Sequence, residues 1–281
     1  MNIVMEKVLE KYKDKIKFIG EKHPKISEIK SIMSNSNKDD EKLFVAEGIW
    51  AHNRILMTNT KVSSFIFCPE YVYSSEAAQM VKSFISRTEE VFAVSKKVFE
   101  KLSDRETPDG FMSLGVFNSY DINRLKDRKN LVIIILDGLE KAGNIGTILR
   151  TCDGAGIDAV FVCNKRTKIT NPKLIKGSMG AVFSIPIIEF HEVEACINWL
   201  KEREFNIYLA DTRAENTYKN YDYKGNTALV MGNERYGISK EWYNCNPYML
   251  YIPMMGICDS LNVGTATAIV TYEISMKKKY V

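Results

Sequence analysis

The sequence of 281 residues lacks the features of membrane and secreted proteins. No apolar run approaches the roughly 18 residues that a membrane-spanning helix needs. The N-terminal stretch MNIVMEKVLEKYKDK is charged from Glu6 onward and has no apolar core of the signal-peptide kind. Six cysteines are scattered without a Cys-x-x-Cys pair, so we expect reduced thiols in cores. These absences favour a cytoplasmic protein without a membrane segment.

Metal ligands and the common nucleotide fingerprints are also scarce. The three histidines, His23, His52 and His191, lie far apart, and we expect no structural metal site. No G-x-G-x-x-G follows a strand and no G-x-x-x-x-G-K-[ST] occurs, which disfavours a dinucleotide site and excludes a P-loop. No G-x-S-x-G elbow of a hydrolase is present either.

The length of 281 residues predicts two domains of ordinary size, and the composition, 45% hydrophobic and 26% charged, is that of a globular protein. A formal net charge of +4 is compatible with nucleic acid but does not indicate it. The stretch NKRTKITNPKLIKG (164–177) is more informative, because it contains five basic residues and no acid: Lys165, Arg166, Lys168, Lys173 and Lys176. By itself such a run is usually a solvated loop.

The order of elements predicts two α/β domains. Residues 1–117 combine an N-terminal helix with alternating short strands and helices. The polar stretch 118–130 reads as a linker. In residues 131–281, near-continuous apolar strands such as LVIIILD alternate with helices, a pattern typical of a mostly parallel sheet buried on both faces.

The stretch GNIGTILR (143–150) follows the first of these strands and predicts a helix from about Ile145. Four apolar residues occur at helical spacing and form its buried face: Ile145, Ile148, Leu149 and Cys152. Thr147, Arg150 and Gly154 then lie on the open face. Asn144 occupies the position of an N-cap. Ligands of α/β sheets bind at the carboxyl ends of the strands, which favours a function for Arg150 over a plain surface role.

Two later loops also follow strands. In LVMGNERYGIS (229–239), Gly232 permits either a close approach of the backbone to a ligand or a positive φ. Glu234 in the same loop can anchor a neighbouring backbone or pair with a cation such as Arg150. In YIPMMGICDSLNVGTATAIV (251–270), Ser260 or Asn262 caps a helix that begins with small residues. Each loop alone is consistent with a simple turn or cap.

Together and in this order, the three loops resemble the motifs of the SpoU (TrmH) family of RNA methyltransferases. The segment NPKLIKGSMGAVFSIPI resembles the family's sequence between the first two motifs, and the likeness covers 131–281. LFVAEG and PDGFMSLG resemble a ribosomal-protein-like RNA-binding domain that often precedes this catalytic domain. The resemblance implies a trefoil-knotted domain of the SPOUT superfamily behind a smaller α/β RNA-binding domain.

The resemblance also implies an activity, a cofactor and partners. The reaction is methyl transfer from S-adenosylmethionine to a ribose 2′-hydroxyl in structured RNA, with ribosomal RNA favoured over tRNA. Four residues match the family's cofactor-binding positions: Gly232, Ile252, Met254 and Leu261. The family forms homodimers whose active site takes parts from both subunits. The basic residues of 165–176 are then expected to contact RNA phosphates.

Five residues match the catalytic positions: Asn144, Arg150, Glu234, Ser260 and Asn262. Arg150 either accepts the hydroxyl proton or positions the ribose and its phosphate. The first role requires the guanidinium to lose its charge, because a charged guanidinium has only hydrogen-bond donors. Asn144 is expected to shape the first loop, and Glu234 to orient Arg150 or its surroundings. Ser260 and Asn262 bind substrate or fix the third loop.

Four alternatives remain open from the sequence. In the first, the substrate is tRNA, and in the second, the methyl acceptor is a base nitrogen instead of a ribose hydroxyl. In the third, the protein binds RNA through the knotted fold but has no catalytic activity. A nucleotide-dependent oxidoreductase is the fourth, and the missing glycine fingerprint disfavours it.

Overall fold

A computed structural model describes residues 3–34, 42–58, 60–117 and 119–279. The chain forms two compact units. The first unit contains residues 1–118 together with 169–183, and the second contains 119–168 together with 184–281. The segment 169–183 therefore packs with the first unit, although the sequence-based division assigned it to the C-terminal domain.

The secondary-structure elements are numbered along the chain. The strands are β1 Ile16–Phe18, β2 Leu43–Glu47, β3 Lys61–Phe67, β4 Glu90–Ala93, β5 Phe111–Val116, β6 Val132–Asp137, β7 Ala159–Cys163, β8 Ile187–Glu189, β9 Asn206–Ala210, β10 Thr227–Gly232 and β11 Tyr248–Leu250. The helices are α1 Ile3–Lys11, α2 Pro24–Met33, α3 Ile49–Met57, α4 Ser75–Arg87, α5 Lys96–Glu100, α6 Ala142–Ala155, α7 Pro172–Gly177, α8 Val193–Lys201, α9 Lys240–Tyr243 and α10 Val263–Lys279.

The first unit contains a mixed sheet with the strand order β1-β4-β3-β5-β2. Strands β1, β4 and β3 are parallel, and β5 runs antiparallel to both β3 and β2. Its core buries apolar side chains of α2 against the sheet. Helix α4 is capped by the hydroxyl of Ser74, which accepts from the amide of Ala77 at 3.1 Å. Ser75 is the first helical residue.

His52 is a fully buried polar residue of this unit. Its Nδ1 lies 2.8 Å from the carbonyl of Gly48 and its Nε2 lies 2.8 Å from the hydroxyl of Ser113. A carbonyl only accepts, so Nδ1 carries the proton of the neutral ring and Nε2 accepts from Ser113. Burial lowers the pKa of His52 to about 4, which keeps the ring neutral in this apolar site.

Aromatic packing explains why the segment 169–183 belongs to the first unit. The ring of Phe183 lies 5.0 Å from that of Phe44 and 5.1 Å from that of Phe117. Gly180 has a φ of 86°, and a Cβ at this position would lie 2.9 Å from the side chain of Arg54. Glycine is therefore required where the segment approaches α3.

The second unit confirms the predicted parallel sheet. Its strand order is β11-β9-β10-β6-β7-β8, and every adjacent pair is parallel. Strands β6, β7 and β10 are buried almost throughout, which explains their near-continuous apolar sequences. Helices α6 and α10 pack against each other.

Five of the six cysteines are buried free thiols, as expected, whereas Cys258 is exposed. Within the described ranges, no cluster of three or more histidine, cysteine, aspartate or glutamate residues is placed to hold a metal ion. No helix in the described part of the chain has the length and apolar character to cross a membrane.

Candidate active site

Helix α6 begins one turn earlier than the sequence predicts. It starts at Ala142, with Lys141 at the N-cap position, so Asn144 lies inside the first turn and is not the cap. The predicted buried face is confirmed for all four of its apolar residues. Thr147, Arg150 and Gly154 are exposed on the opposite face, also as predicted.

The side chain of Asn144 instead connects all three motif loops. Its Nδ2 donates to Oε1 of Glu234 at 2.5 Å, and its Oδ1 accepts from Nδ2 of Asn262 at 3.2 Å. Oδ1 of Asn262 in turn accepts from the amide of Gly264 at 2.9 Å, which makes Asn262 the cap of α10. We call Asn144, Glu234 and Asn262 the motif relay.

Gly232 is required by a close approach within its own loop. A Cβ on Gly232 would lie 2.5 Å from the carbonyl carbon of Gly237 and 2.6 Å from the amide nitrogen of Ile238. Asn233 and Gly237 also exchange two backbone hydrogen bonds of 2.9 Å each. The close approach is thus to the backbone of the same loop, and Gly232 does not have a positive φ. Contact of Gly232 with a ligand stays a prediction.

The third loop leads into α10 next to α6. A Cβ on Gly264 would lie 3.4 Å from the side chain of Thr147, so small residues let the two helices approach closely. Ser260 does not cap α10, because its hydroxyl donates to Asp259 at 3.3 Å. Of the two predicted caps, only Asn262 is correct.

These loops surround a cleft of about 660 Å³ at the carboxyl ends of β9, β10 and β11. A cleft of this volume is typical of small-molecule sites. All four predicted cofactor-binding residues line it, as do three of the five predicted catalytic residues: Gly232, Ile252, Met254, Leu261, Glu234, Ser260 and Asn262. The apolar part of the lining includes Met231, Ile238 and Val263.

Arg150 is separate from this cleft within its own chain. It is exposed on α6 and does not line the cleft. In the described part of the chain, Glu234 forms no ion pair with Arg150, and its carboxylate accepts from Asn144 instead. Of the two roles predicted for Glu234, its contact is with the first loop, through Asn144, and not with Arg150 of the same chain.

Two carboxylates at strand ends, one buried and one half-buried, are not among the predicted site residues. Asp137 accepts from the side chain of Asn164 and from the amide of Ser239, both at 2.7 Å, and so joins three loops. Asp211, which follows β9, lines the cleft with Arg213. An acidic residue directly after an apolar strand is the signal that could have identified both.

The five predicted RNA-binding residues differ in their partners. Lys165, in the second unit, forms an ion pair of 2.8 Å with Glu189. Lys176, in the first unit, donates to the carbonyl of Asp104 at 3.3 Å. Arg166 and Lys173 are exposed, whereas Lys168 is half-buried.

Comparison with family models agrees with this architecture. The model of the SpoU rRNA Methylase family matches residues 131–272. The model of the MRM3-like substrate binding domain matches residues 23–113. The chain belongs to the SpoU rRNA methylase family, and its N-terminal part is a substrate-binding domain.

Curated relatives cover part of the chain. A putative TrmH family tRNA/rRNA methyltransferase of Staphylococcus aureus is 32% identical over 160 residues, which are 56% of this chain and 64% of that protein. A Staphylococcus epidermidis protein of the same description is 32% identical over 164 residues, which are 58% of this chain and 65% of that protein. The chain therefore spans slightly less than two thirds of the length of these relatives.

Solved structures share the fold over nearly the whole chain. An AdoMet-bound rRNA methyltransferase from Sinorhizobium meliloti superposes with a TM-score of 0.84 at 22% identity, covering 95% of this chain and 100% of that one. An RNA 2′-O ribose methyltransferase superposes with a TM-score of 0.79 at 26% identity, covering 94% of this chain and 99% of that one. The α/β fold with its mostly parallel sheet is thus that of SpoU-type methyltransferases, and the knot stays a prediction.

Proposed function

We propose that this protein is an S-adenosylmethionine-dependent methyltransferase that modifies a ribose 2′-hydroxyl in structured RNA. The observation that carries the proposal is the cleft at the carboxyl ends of β9, β10 and β11, where the three motif loops meet. The motif relay joins those loops through side-chain hydrogen bonds. The 26% identity to an RNA 2′-O ribose methyltransferase over almost the whole chain supports the same reaction.

The residues of the cleft fit S-adenosylmethionine. A volume of about 660 Å³ is in the range of small-molecule sites, and the mixture of apolar and polar lining suits a nucleoside with an amino-acid tail. Gly232, Ile252, Met254 and Leu261 would hold the cofactor. The carboxylates of Glu234 and Asp259 line the same cleft, and negative charge there complements a sulfonium. When bound, the cofactor supplies an electrophilic methyl group.

Arg150 is the residue that we assign to the ribose. Methyl transfer would require the 2′-hydroxyl to be held in place while its proton passes to solvent water. A charged guanidinium offers five donors and no acceptor, so Arg150 is suited to holding the ribose and the adjacent phosphate while charge develops on the oxygen. Its exposure leaves the side chain accessible to RNA. Proton removal by Arg150 itself would first require the loss of its charge.

In a homodimer, Arg150 of one subunit could reach the cleft of the other. Several large apolar side chains of the second unit are exposed, with Met255 at 93% and Ile257 at 104% exposure in the third loop, and Tyr272 and Met276 exposed on α10. Large apolar side chains exposed in one loop and on one helix favour a protein interface there. Because Arg150 lies outside the cleft of its own chain, we propose a homodimer in which it serves the cleft of the partner.

A complementation experiment tests this arrangement. Arg150→Ala subunits are mixed and refolded with subunits that carry Leu261→Glu in the cleft. A shared site predicts that mixed dimers recover part of the activity, because one of their two sites contains neither defect. No recovery, despite mixed dimers detected by mass spectrometry, would contradict a shared site.

RNA is the proposed partner, with ribosomal RNA favoured over tRNA. The substrate-binding domain model that matches 23–113 supports an RNA surface in the first unit. Exposed Arg166 and Lys173 add positive charge outside the cleft. The preference for ribosomal RNA rests on the resemblance of the N-terminal domain, and cytoplasmic location stays a prediction from the sequence.

The proposed function is tested by transfer of labelled methyl groups to unmodified ribosomal RNA and tRNA. We expect label in ribosomal RNA at one dinucleotide that resists alkali, because a methylated 2′ oxygen cannot attack the neighbouring phosphate. Label that alkali releases within single nucleotides would indicate a base nitrogen as acceptor. No label in free RNA or in ribosomal particles, despite cofactor binding, would contradict the proposed activity.

A further inference from the structure

The cleft contains an ion pair that no predicted site residue explains. Arg213 donates from Nε to Oδ1 of Asp211 at 3.1 Å and from Nη2 to Oδ2 at 2.8 Å, which is a bidentate arrangement. Tyr243 in α9 donates its hydroxyl to Oδ2 of Asp211 at 2.5 Å and lies 3.3 Å from Nη2 of Arg213. We call these three residues the Asp211 cluster.

Fold stability does not account for this cluster. The side chain of Arg213 is 79% exposed, and exposed ion pairs contribute little to stability. The side chain of Asp211, in contrast, is only 8% exposed and also accepts from the amide of Arg213 at 2.9 Å. The hydrogen bond from Arg213 lowers the pKa of Asp211 to about 2. The carboxylate therefore holds the guanidinium plane in one orientation at the wall of the cleft.

This wall also contains one of the predicted cofactor-binding positions. The amide of Asp211 donates to the carbonyl of Leu250 at 3.0 Å, and the amide of Tyr251 donates to the carbonyl of Asn216 at 3.0 Å. Ile252 follows directly in sequence. The loop after β9 and the loop after β11 are thus hydrogen-bonded together, and both line the cleft.

The chemistry of the pair limits which ligand group it can take. Asp211 already neutralises the guanidinium and would repel a phosphate or carboxylate placed beside it. A sulfonium would be repelled by Arg213 itself. A neutral purine ring suits the site, because a guanidinium plane stacks on the faces of nucleobases.

We propose that Arg213 binds the adenosine moiety of the cofactor by stacking on its purine ring, with Asp211 and Tyr243 as positioning residues. This inference rests on the proposed function. It assigns Arg213 to cofactor affinity and not to RNA or to the transferred methyl group.

Calorimetric titration with S-adenosylmethionine and S-adenosylhomocysteine tests the inference. Both ligands contain adenosine and only the first contains the sulfonium. Arg213→Ala is expected to weaken both by the same factor, roughly three- to tenfold. Tyr243→Phe should weaken both to a smaller extent. In the transfer assay, Arg213→Ala should raise KM for the cofactor and leave kcat unchanged.

The matched control is Lys224→Ala, which removes another exposed ion-pair cation of the same unit, bound to Asp222 at 3.0 Å and outside the cleft. Its cofactor affinity should equal that of the wild type. Arg213→Lys keeps the positive charge but lacks the planar guanidinium, so its cofactor affinity should be reduced as in Arg213→Ala. This variant replaces Arg213→Ala in the test if the alanine variant misfolds.

Three results would overturn the inference. In the first, a folded Arg213→Ala binds both ligands with wild-type affinity. In the second, the variant loses affinity for S-adenosylmethionine but not for S-adenosylhomocysteine. In the third, it loses affinity only for RNA. If the wild-type protein binds neither ligand, the proposed function itself fails, and this outcome is distinct from a failure of Arg213 alone.

Discussion

Asn144 donates from Nδ2 to Oε1 of Glu234 at 2.5 Å, although 90 residues separate the two in the chain. This bond connects the first turn of α6 with the loop after β10. Through Asn262 it extends to the start of α10. The three motifs are thus one hydrogen-bonded assembly at the edge of the cleft, and a change in one loop should affect the other two.

The bond predicts energetic coupling between Asn144 and Glu234. In a double-mutant cycle of Asn144→Ala and Glu234→Ala, measured as methyl transfer, we expect a coupling of about 1–2 kcal/mol. Glu234→Gln should retain more activity than Glu234→Ala, because a glutamine Oε1 still accepts the bond. Additive effects within roughly 0.5 kcal/mol would show that the two residues act independently.

Gly232→Ala should distort the cleft, because the added methyl would lie 2.5 Å from the backbone of Gly237. We expect a loss of about 2 kcal/mol in the free energy of unfolding and weaker cofactor binding. Urea unfolding and calorimetry measure the two effects. Gly143→Ala is the control for stability, since its added Cβ has no atom within 4 Å, and it should be neutral or slightly stabilising. Equal stability of both variants would contradict the steric argument.

His52 makes stability depend on pH. Its pKa is about 4 in the folded protein and roughly 6.5 in the unfolded chain. Above a pH of roughly 6.5, His52 is neutral in both the folded and the unfolded protein, and the protein has its full stability. As pH falls from about 6.5 towards 4, the unfolded state binds the proton first, and stability falls by up to ~1.4 kcal/mol per pH unit. His52→Gln should remove this dependence in urea unfolding, whereas His191→Gln, which replaces an exposed histidine, should retain it. A wild-type pH profile in His52→Gln would contradict this account.

The basic residues of 165–176 should contribute unequally to RNA affinity. Arg166→Ala and Lys173→Ala should each reduce the slope of log affinity against log salt by about 0.7–0.9, because each exposed cation releases one counterion. Lys165→Ala should have a smaller effect, since Glu189 already pairs with this lysine at 2.8 Å. Filter binding at several salt concentrations measures the slopes. If Lys165→Ala reduced this slope as much as Arg166→Ala does, the ion pair with Glu189 would not limit the contact of Lys165 with RNA.

The helices, strands and parallel sheet could be predicted from local sequence, whereas the cofactor-binding residues of the cleft were predicted from the resemblance to the SpoU family. Apolar strands and the spacing of Ile145, Ile148 and Leu149 depend on neighbours within a few residues, and the structure confirms them. Asn262 as a cap is likewise local, because its partner is the amide of Gly264.

The errors concern partners distant in sequence. Asn144 resembles a cap, but its bond is to Glu234, and no local pattern distinguishes the two roles. The segment 169–183 follows the first motif in sequence, yet Phe183 packs against both Phe44 and Phe117 of the first unit. Asp211 and Arg213 look like an ordinary turn until the structure places them on the cleft.

The most direct measurement is methyl transfer from S-adenosylmethionine to ribosomal RNA by the wild type and by Arg150→Ala, with calorimetry of cofactor binding in parallel. We expect transfer to fall by about 100-fold or more in the variant, while its affinity for the cofactor stays at the wild-type value because Arg150 is assigned to the ribose and is not one of the proposed cofactor-binding residues. Full transfer activity in a folded Arg150→Ala would contradict the account.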